Sequence, residues 1–536
     1  MEYLFYNIKH NVKNLTPDYI LTNKENTVKL IAEEINDITS KLSNGSLIFI
    51  SGLPFILGNV TEFLTDELKF NYWISCEYLP TNNDGDFPLT HFGLLFLQKK
   101  ESKKPIPFKL NTKEYRVPHT TCPSCNKLTK DWGGKKHTMN PLGTAYSDVW
   151  YIGDELDKIN DRHNKKIENI IHNLIGIDKK LELINSDIVY DDRKIKTSHN
   201  IESDNVIQFF EYDNKVVNDD CVSFIDEVVM KHPNGVFDIA FSDPPYNLNK
   251  NYSKYEDNLR DKEYLDWCEK WIYSKYQSLK PGGSLLVMNI PKWSIHHFNF
   301  LKKFMFFDKW IVWDALSTPA GKLMPAHYTI LHFVKPGGRK KISKTSEMIP
   351  EKSYCLRNTC ISKRKDVQTV EVTDIWKDCH RVKHNKNKND HPCQLPIKLL
   401  DRIINKYSNE NDRIFDPFGG TGSAAVSSKI NNRNFTITDI DDKYCNIAET
   451  NISRVKENLL GIKEYILEPT KIESKTKSKY NIKLVEESYM SLCEKSNKLL
   501  TLEEVLILDV TLHSKLLLYP KKFSKLQSMT TRLKLV

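Results

Sequence analysis

Four consecutive residues, Asp243, Pro244, Pro245 and Tyr246, set a carboxylate, two conformationally fixed carbonyls and an aromatic ring side by side. Such a group can accept hydrogen bonds from a polar ligand and offer it a flat face. Alone, the same residues fit a strand-ending turn equally well. A second stretch far downstream, Asp416-Pro-Phe418-Gly419-Gly420-Thr-Gly422, reads as a glycine-rich turn that lets a ligand approach the backbone. About twenty residues further on, Asp439 and Asp441 end another apolar run. An acid in that place of a doubly wound sheet accepts hydrogen bonds from ribose hydroxyls. A lone Gly-x-Gly loop is a weak signal, and a packing turn would serve as well. Followed by an acid at the end of the next strand, it says more.

Each of these groups needs an element to hold it. Phe237 to Ser242 is an apolar run with a β-branched residue and predicts a buried strand. The two prolines must stop it, because they cannot donate to a ladder and they restrict their neighbours. Arg413 to Asp416 and Phe435 to Asp439 predict two further strands, each with its acid at the C-terminal end. Ligands bind at that edge of an open α/β sheet. The chain therefore reads as an α/β protein.

The order of elements occurs twice. Ser284-Leu-Leu-Val-Met matches Ser46-Leu-Ile-Phe-Ile, Leu301 to Trp313 matches Leu64 to Ile74, and Pro325 to Phe333 matches Pro88 to Phe96. Thr373-Asp-Ile-Trp376 matches Ser147-Asp-Val-Trp150. A near-constant offset points to duplication. Carried back, Tyr246-Asn247-Leu248 falls on Tyr6-Asn7-Ile8, which places Tyr3, Leu4 and Phe5 where the second copy has Asp243, Pro244 and Pro245. The first copy then lacks the chemistry. The expected organisation is a degenerate module over 1–150, a helical connector over 151–205, a site-bearing domain over 206–460, and a Lys-rich, partly helical tail over 461–536.

Cys122-Pro-Ser-Cys125, with His119 and His137 nearby, has the spacing of half a zinc knuckle. No second close pair is evident, so the expectation is a reduced structural pair and no metal. Hydrophobic content of 40% and charged content of 27% suit a soluble globular chain. No apolar run is long enough to span a membrane, the start lacks a signal-peptide layout, and 11 scattered cysteines suit a reducing cytoplasm. A net charge of +9 permits a polyanionic partner without requiring one.

Taken in order, Asp243 to Tyr246, Pro281-Gly-Gly-Ser284, His391-Pro-Cys-Gln394-Leu-Pro396 and Asp416 to Gly422 resemble S-adenosyl-L-methionine-dependent DNA amino-methyltransferases. The catalytic motif precedes the cofactor loop, as in their β group, and the likeness runs from about Val216 to Val455. It implies a Rossmann-like, doubly wound, mostly parallel seven-stranded sheet. It also implies cofactor contacts from Asp416, Phe418, Gly419, Gly420, Gly422 and Asp439, with His391 and Gln394 beside the methionine end and Asp220 (or Asp219) near the adenine. Asp243, Pro244, Pro245 and Tyr246 would clamp the amino group of a flipped base in double-stranded DNA. Asp before Pro-Pro-Tyr resembles the adenine-N6 members, whereas Ser in that place is commoner among cytosine-N4 enzymes. The span 335–390 would hold target recognition, with Arg357, Lys363, Arg364, Lys365, Arg381 and Lys383 facing phosphates. Related enzymes often pair catalytic domains, so a homodimer or an internal pseudo-dimer through the first module is expected. A non-catalytic DNA-binding relative is the alternative from another class.

Overall fold

The computed structural model describes residues 2–10, 25–79, 87–100, 106–113, 115–129, 140–155, 159–190, 209–250, 252, 254–315, 323–343, 347–351, 355, 360, 369–379, 381, 394–458, 463–466, 482–496, 498, 500–509, 512 and 516. It divides into two compact units. The larger holds Met1–His119, Gly133–Ile349 and Thr369–Glu468, and the smaller holds Thr120–Trp132, Pro350–Gln368 and Pro469–Val536.

In the larger unit, six strands form one sheet: β1 (Tyr3–His10), β2 (Leu47–Gly52), β3 (Leu68–Leu79), β4 (His91–Lys99), β5 (Val149–Glu155) and β6 (Leu181–Tyr190), in the order β5-β3-β4-β2-β1-β6. Helices α1 (Glu25–Ser40), α2 (Pro54–Thr61) and α3 (Ile159–Ile175) accompany them. The stretch 151–205, expected as a helical connector, holds α3 but also β6, which pairs in parallel with β1. Leu181, Ile184 and Ile188 stand at i, i+3 and i+7, a spacing that reads as helical, so the strand is set by its pairing with β1 and not by local pattern.

A second sheet follows: β7 (Lys215–Asn218), α4 (Cys221–Lys231), β8 (Phe237–Ser242), α5 (Asp261–Ser278), β9 (Leu279–Asn289), α6 (Pro291–Leu301), β10 (Phe306–Asp314) and β11 (His327–Val334). After a small ladder of β12 (Met348–Pro350) and β13 (Thr369–Glu371) come β14 (Ile375–Trp376), α7 (Ile397–Tyr407), β15 (Arg413–Asp416), α8 (Ser423–Ile430), β16 (Asn434–Asp439) and α9 (Asp442–Ser453). The order is β14-β10-β11-β9-β8-β15-β16-β7, eight strands because the two-residue β14 extends the expected seven at one edge. All pairings are parallel except those of β11.

Strand for strand, β5-β3-β4-β2-β1-β6 has the order of β14-β10-β11-β9-β8-β15; among the described residues the first sheet has no counterparts of β16 and β7. Smaller details recur as well. Lys99 Nζ donates to Thr39 O, Ser40 O and Leu42 O at the end of α1, and Lys335 Nζ to Gln277 O and Leu279 O at the end of α5. Both lysines satisfy helix carbonyls that have no intrahelical partner.

The register corrects one expectation. Ser242 lies opposite Val287 in β9, and Phe5 opposite Phe49 in β2. With Ser284 on Ser46, Phe5 occupies the position of Ser242, so Tyr6, Asn7 and Ile8 replace Asp243, Pro244 and Pro245. The projected Tyr3-Leu4-Phe5 was three residues early, because the Tyr-Asn match that set the offset is not a structural one. Without prolines β1 does not stop, and it pairs on both sides through Asn7. By the same register Glu182 stands where Asp416 does, and β6 continues where the second sheet turns into its glycine loop.

The two sheets exchange matching contacts. Asp374 accepts from Thr90 N (2.8 Å) and Thr90 Oγ1 (2.7 Å) and pairs with His91 Nδ1 (2.7 Å). Reciprocally, Asp148 accepts from Ala326 N (2.8 Å) and pairs with His327 Nδ1 (3.1 Å). Trp73 of β3 stacks on Trp310 of β10, centroids 4.5 Å apart and planes within 10°.

Within the smaller unit, a helix over Ile482–Ser496 and another over Leu502–Leu508 bury Tyr489, Cys493, Leu500, Val505, Leu512 and Leu516 together. The second is opened by a capping box of Thr501 and Glu504.

Candidate active site

At the C-terminal edge of the second sheet, Asp243 directly follows β8, β15 ends in Asp416 and β16 in Asp439, and all three line one cleft. Asp220, Pro244, Pro245, Tyr246, Gln394, Phe418, Gly419 and Gly420 line it too. The sequence thus located the carboxylates and the glycine loop that the topology brings together.

Buried donors hold the Asp243–Tyr246 turn rigid. Tyr264 Oη donates to Pro245 O (2.7 Å), Trp293 Nε1 to Tyr246 O (2.8 Å), and Asn289 Nδ2 to Tyr264 Oη (3.0 Å). Beyond the turn, Asp257 accepts from the backbone N–H groups of Asn247, Leu248 and Lys250 at 2.7–3.1 Å. Asn247 has φ +56°, a conformation asparagine tolerates better than most residues. Tyr246 Oη donates to Asp243 Oδ1, and its ring lies 5.4 Å from that of Tyr328.

The glycine loop is tied to its neighbours by short bonds. Phe418 N donates to Asp416 Oδ1 (3.0 Å), Gly419 N to Thr438 O (2.8 Å), and Asn451 Nδ2 to Thr421 O (2.8 Å). Gly422 has φ +80° and opens α8, and a Cβ there would stand 2.8 Å from Ala448 Cβ. Asp439 accepts from Gly420 N on Oδ2 and from Asp441 N on Oδ1, both at 2.9 Å. A carboxylate has about four lone-pair sites, so two remain for ribose hydroxyls. Asp220 caps α4 by accepting from Val222 N (2.9 Å) and Ser223 N (3.2 Å), all on Oδ1.

The electrostatics of the cleft are unbalanced. Burial pushes Asp243 up to about 7, against the Tyr246 hydrogen bond and aided by the charge of Asp416. Burial likewise raises Asp416 to about 7, opposed by Phe418 N–H and by Lys275. Lys275, which sequence reasoning missed, lies fully buried on α5 with its ammonium against Ser242 Oγ. Burial pulls it down to about 7, while Asp416 and Cys221 hold it up. Its signal was a lysine on the buried face of an amphipathic helix, beside Trp271. Two buried acids against one buried amine suit a cationic ligand. Gln394 Oε1 adds a buried acceptor with no partner among the described residues. These acceptors fit a ligand carrying a sulfonium and an α-ammonium group, and Asp439 fits its ribose.

Of the basic residues expected at DNA, Arg357, Lys363, Arg364, Lys365 and Lys383 lie outside the described residues, as do His391 and His137. Arg381 is described and exposed; its guanidinium stands 4.7 Å from the centroid of Tyr328, the ring next to Tyr246. His119 is not gathered with the cysteines, since its Nε2 lies 2.8 Å from Asn140 O. Cys122 and Cys125 instead meet Cys355 and Cys360, a convergence the sequence reading did not make. Its signal was a second close pair, Cys355-x4-Cys360, 230 residues downstream.

A glycine loop, a ribose-type acid on the next strand and a braced acceptor turn across the cleft define a nucleotide-cofactor transferase site. A family model described as DNA methylase matches residues 237–450. The chain is 36% identical over 228 residues to the type II methyltransferase M.BamHI of Bacillus amyloliquefaciens, covering 40% of this chain and 52% of that protein. It is 30% identical over 217 residues to the type II methyltransferase M.HpaI of Haemophilus parainfluenzae, covering 40% and 67%. To the DNA adenine methyltransferase YhdJ of Escherichia coli K12 it is 28% identical over 229 residues, covering 40% and 75%. The M1.HpyAVI–SAM complex matches 44% of this chain and 97% of its own, at 18% identity and a TM-score of 0.32. The match thus spans about half the length of M.BamHI. The chain belongs to the S-adenosyl-L-methionine-dependent DNA amino-methyltransferases.

Proposed function

We propose that this chain is a site-specific DNA methyltransferase that transfers the methyl group of S-adenosyl-L-methionine to N6 of adenine in double-stranded DNA. Modification within a restriction-modification system is the fitting context. The observation that carries this reading is the braced turn at Asp243 and Pro244, set in one cleft with the glycine loop and Asp439. When bound, the cofactor supplies an electrophilic methyl group. An exocyclic base nitrogen is a poor nucleophile because its lone pair is delocalised into the ring. Asp243 and Pro244 O accept its two hydrogens, draw it towards tetrahedral geometry and free the lone pair for in-line attack. Oriented acceptors and positioning carry such a step. The methylated nitrogen must then lose a proton, and Asp243, pushed up to about 7, is matched to receive it near neutral pH. A base inside a duplex has to be flipped out to reach this turn, and Tyr246 offers it a ring. Stacking of that kind is worth roughly 1–3 kcal/mol. Arg381 would meet the backbone beside the extruded base.

Modification-sensitive sequencing of DNA from cells expressing the chain tests the reading. N6-methyladenine at one sequence, lost with Asp243→Ala, is the expected result. N4-methylcytosine would move the activity to the other base, and unmodified DNA from cells making folded protein would overturn it.

A further inference from the structure

The four gathered cysteines are none of the residues that line the cleft, and they take no part in the proposed reaction. Cys122 and Cys125 come from the segment between β4 and β5, and Cys355 and Cys360 from the segment between β11 and β14, the equivalent place in the second sheet. All four belong to the smaller unit. Cys122 Sγ lies 3.8 Å from Cys360 Sγ, Cys125 Sγ lies 3.7 Å from Cys355 Sγ, and the four sulfurs are all within 4.8 Å of one another. Zinc–thiolate bonds of about 2.3 Å in a tetrahedron set sulfur–sulfur edges of about 3.8 Å. The separations are far beyond the roughly 2.05 Å of a disulfide, and none of the four is in one.

The backbone is shaped to present them. Cys122 N donates to Lys127 O (2.7 Å), Asn126 N donates to Cys122 O (2.8 Å), and Asn126 takes φ +53°, closing a tight turn with both sulfurs on one side. Cys122, Cys355 and Cys360 are buried with their sulfurs gathered at coordination spacing, and as thiolates they could sit so only around a cation. Among the described residues no carboxylate or imidazole joins the group. A complete set of four soft ligands with no open position is that of a structural site.

We propose that Cys122, Cys125, Cys355 and Cys360 bind one zinc ion as four thiolates, in a closed tetrahedral site. The ion joins the insert of the first sheet to the insert of the second, positions 238 residues apart in the chain. It does so where a reducing compartment would keep a disulfide open.

Full-length chain purified under reducing conditions without chelator should carry one zinc per molecule by mass spectrometry of its metals. Cys355→Ser and Cys360→Ser should lose it, and Cys76→Ala, a buried cysteine in β3, should keep it. Because the serine variants could fail to fold, cobalt(II) is exchanged into the unsubstituted chain as well. Thiolate charge-transfer bands and the strong visible bands of tetrahedral cobalt are expected. Release of the ion by a mercurial reagent should track modification of four thiols. Protein that holds no zinc and takes up no cobalt would overturn the proposal. So would full zinc retention in folded Cys355→Ser, iron in place of zinc, or a disulfide among the four.

Discussion

Asp243 and Asp416 predict how tightly the cleft holds its cofactor at each pH. Both acids are raised to about 7 by burial, and each is aggravated by another acid, Asp243 by Asp416 and Asp416 by Asp439. Their compensating groups are few: Lys250 for Asp243 and Lys275 for Asp416. A ligand bearing a sulfonium and an ammonium binds the ionised acids, so its affinity falls as pH drops through 7. For one titrating carboxylate the loss between pH 7.5 and 5.5 is about 25-fold, and for both about 600-fold, by mass action on a pKa near 7. Lys275, lowered to about 7, gains its charge in the same window and weakens cation binding further. Linkage gives a second sign. Between the unfolded carboxyl value near 4 and the folded value near 7, the native state binds more protons than the unfolded chain. The ligand-free protein therefore loses stability as pH rises across that window, and cofactor restores it. Calorimetric titration with S-adenosylmethionine and S-adenosylhomocysteine at intervals from pH 5.5 to 7.5 measures both effects, with the steeper slope expected for the cationic sulfonium. An affinity constant within twofold across this range, in protein still folded by circular dichroism, would refute the reasoning. So would an Asp243→Asn/Asp416→Asn variant that retains the unsubstituted slope.

Other consequences are simpler to read. Asp243→Ala should lower methyl transfer by about 100- to 1000-fold or more, as loss of an oriented group at the reacting atom does, while binding of DNA by gel shift stays within threefold. Tyr246→Ala removes the stacking face and should cost about 1–3 kcal/mol, seen as weaker binding of DNA containing a mismatched, easily extruded target base. In Gly422→Ala the new Cβ meets Ala448 at 2.8 Å on a backbone of φ +80°. Thermal unfolding should show a lower melting temperature and calorimetry a weakened cofactor affinity. Lys275→Met deletes the cation facing Asp416, so the midpoint of the pH–affinity curve should move to higher pH.

Residues that carry chemistry next to a stop signal were the legible ones. The prolines after β8 and the glycines after β15 mark strand ends, and strand ends of one sheet share an edge, so Asp243, Asp416 and Asp439 could be placed together from local pattern alone. Gln394 likewise reached the cleft that the resemblance implied. Lys275 falls on the apolar face of α5, but only tertiary packing, which sets its ammonium against Ser242 Oγ, tells it from a lysine that reaches solvent. Register was opaque for a related reason. Tyr6-Asn7 and Tyr246-Asn247 agree in type, but alignment of strands is fixed by cross-strand pairing, and β1 runs on where β8 is cut short. The cysteines needed tertiary contact outright, since 230 and 238 residues separate the paired sulfurs. Strand β6 was hidden by its own sequence, in which Leu181, Ile184 and Ile188 keep the helical spacing of α3, and only pairing with β1 makes it a strand.

Among the described residues the first sheet has no acceptor turn, no glycine loop and no counterpart of β16 or β7, yet its edge is built into the second. Deleting residues 1–150 tests what that edge is for. The deletion strips Asp374, fully buried, of the Thr90 N–H, the Thr90 hydroxyl and His91. Leaving a buried charge without its partners costs about 3–5 kcal/mol. His327 loses Asp148 at the matching position, and Trp310 loses its stack on Trp73, worth about 0.5–1.5 kcal/mol beyond the buried area. Domains are stable by only about 5–15 kcal/mol, so these losses with the newly exposed apolar face take up most of the margin. The truncated chain should be poorly soluble or unfold at markedly lower temperature. The single change Asp374→Asn, which keeps an acceptor but drops the charge, should fall between it and the intact protein in denaturant unfolding. On this reading the first sheet is kept for the surface it covers. A deletion variant that is soluble, unfolds cooperatively and methylates DNA at the full rate with unchanged affinity would remove that role.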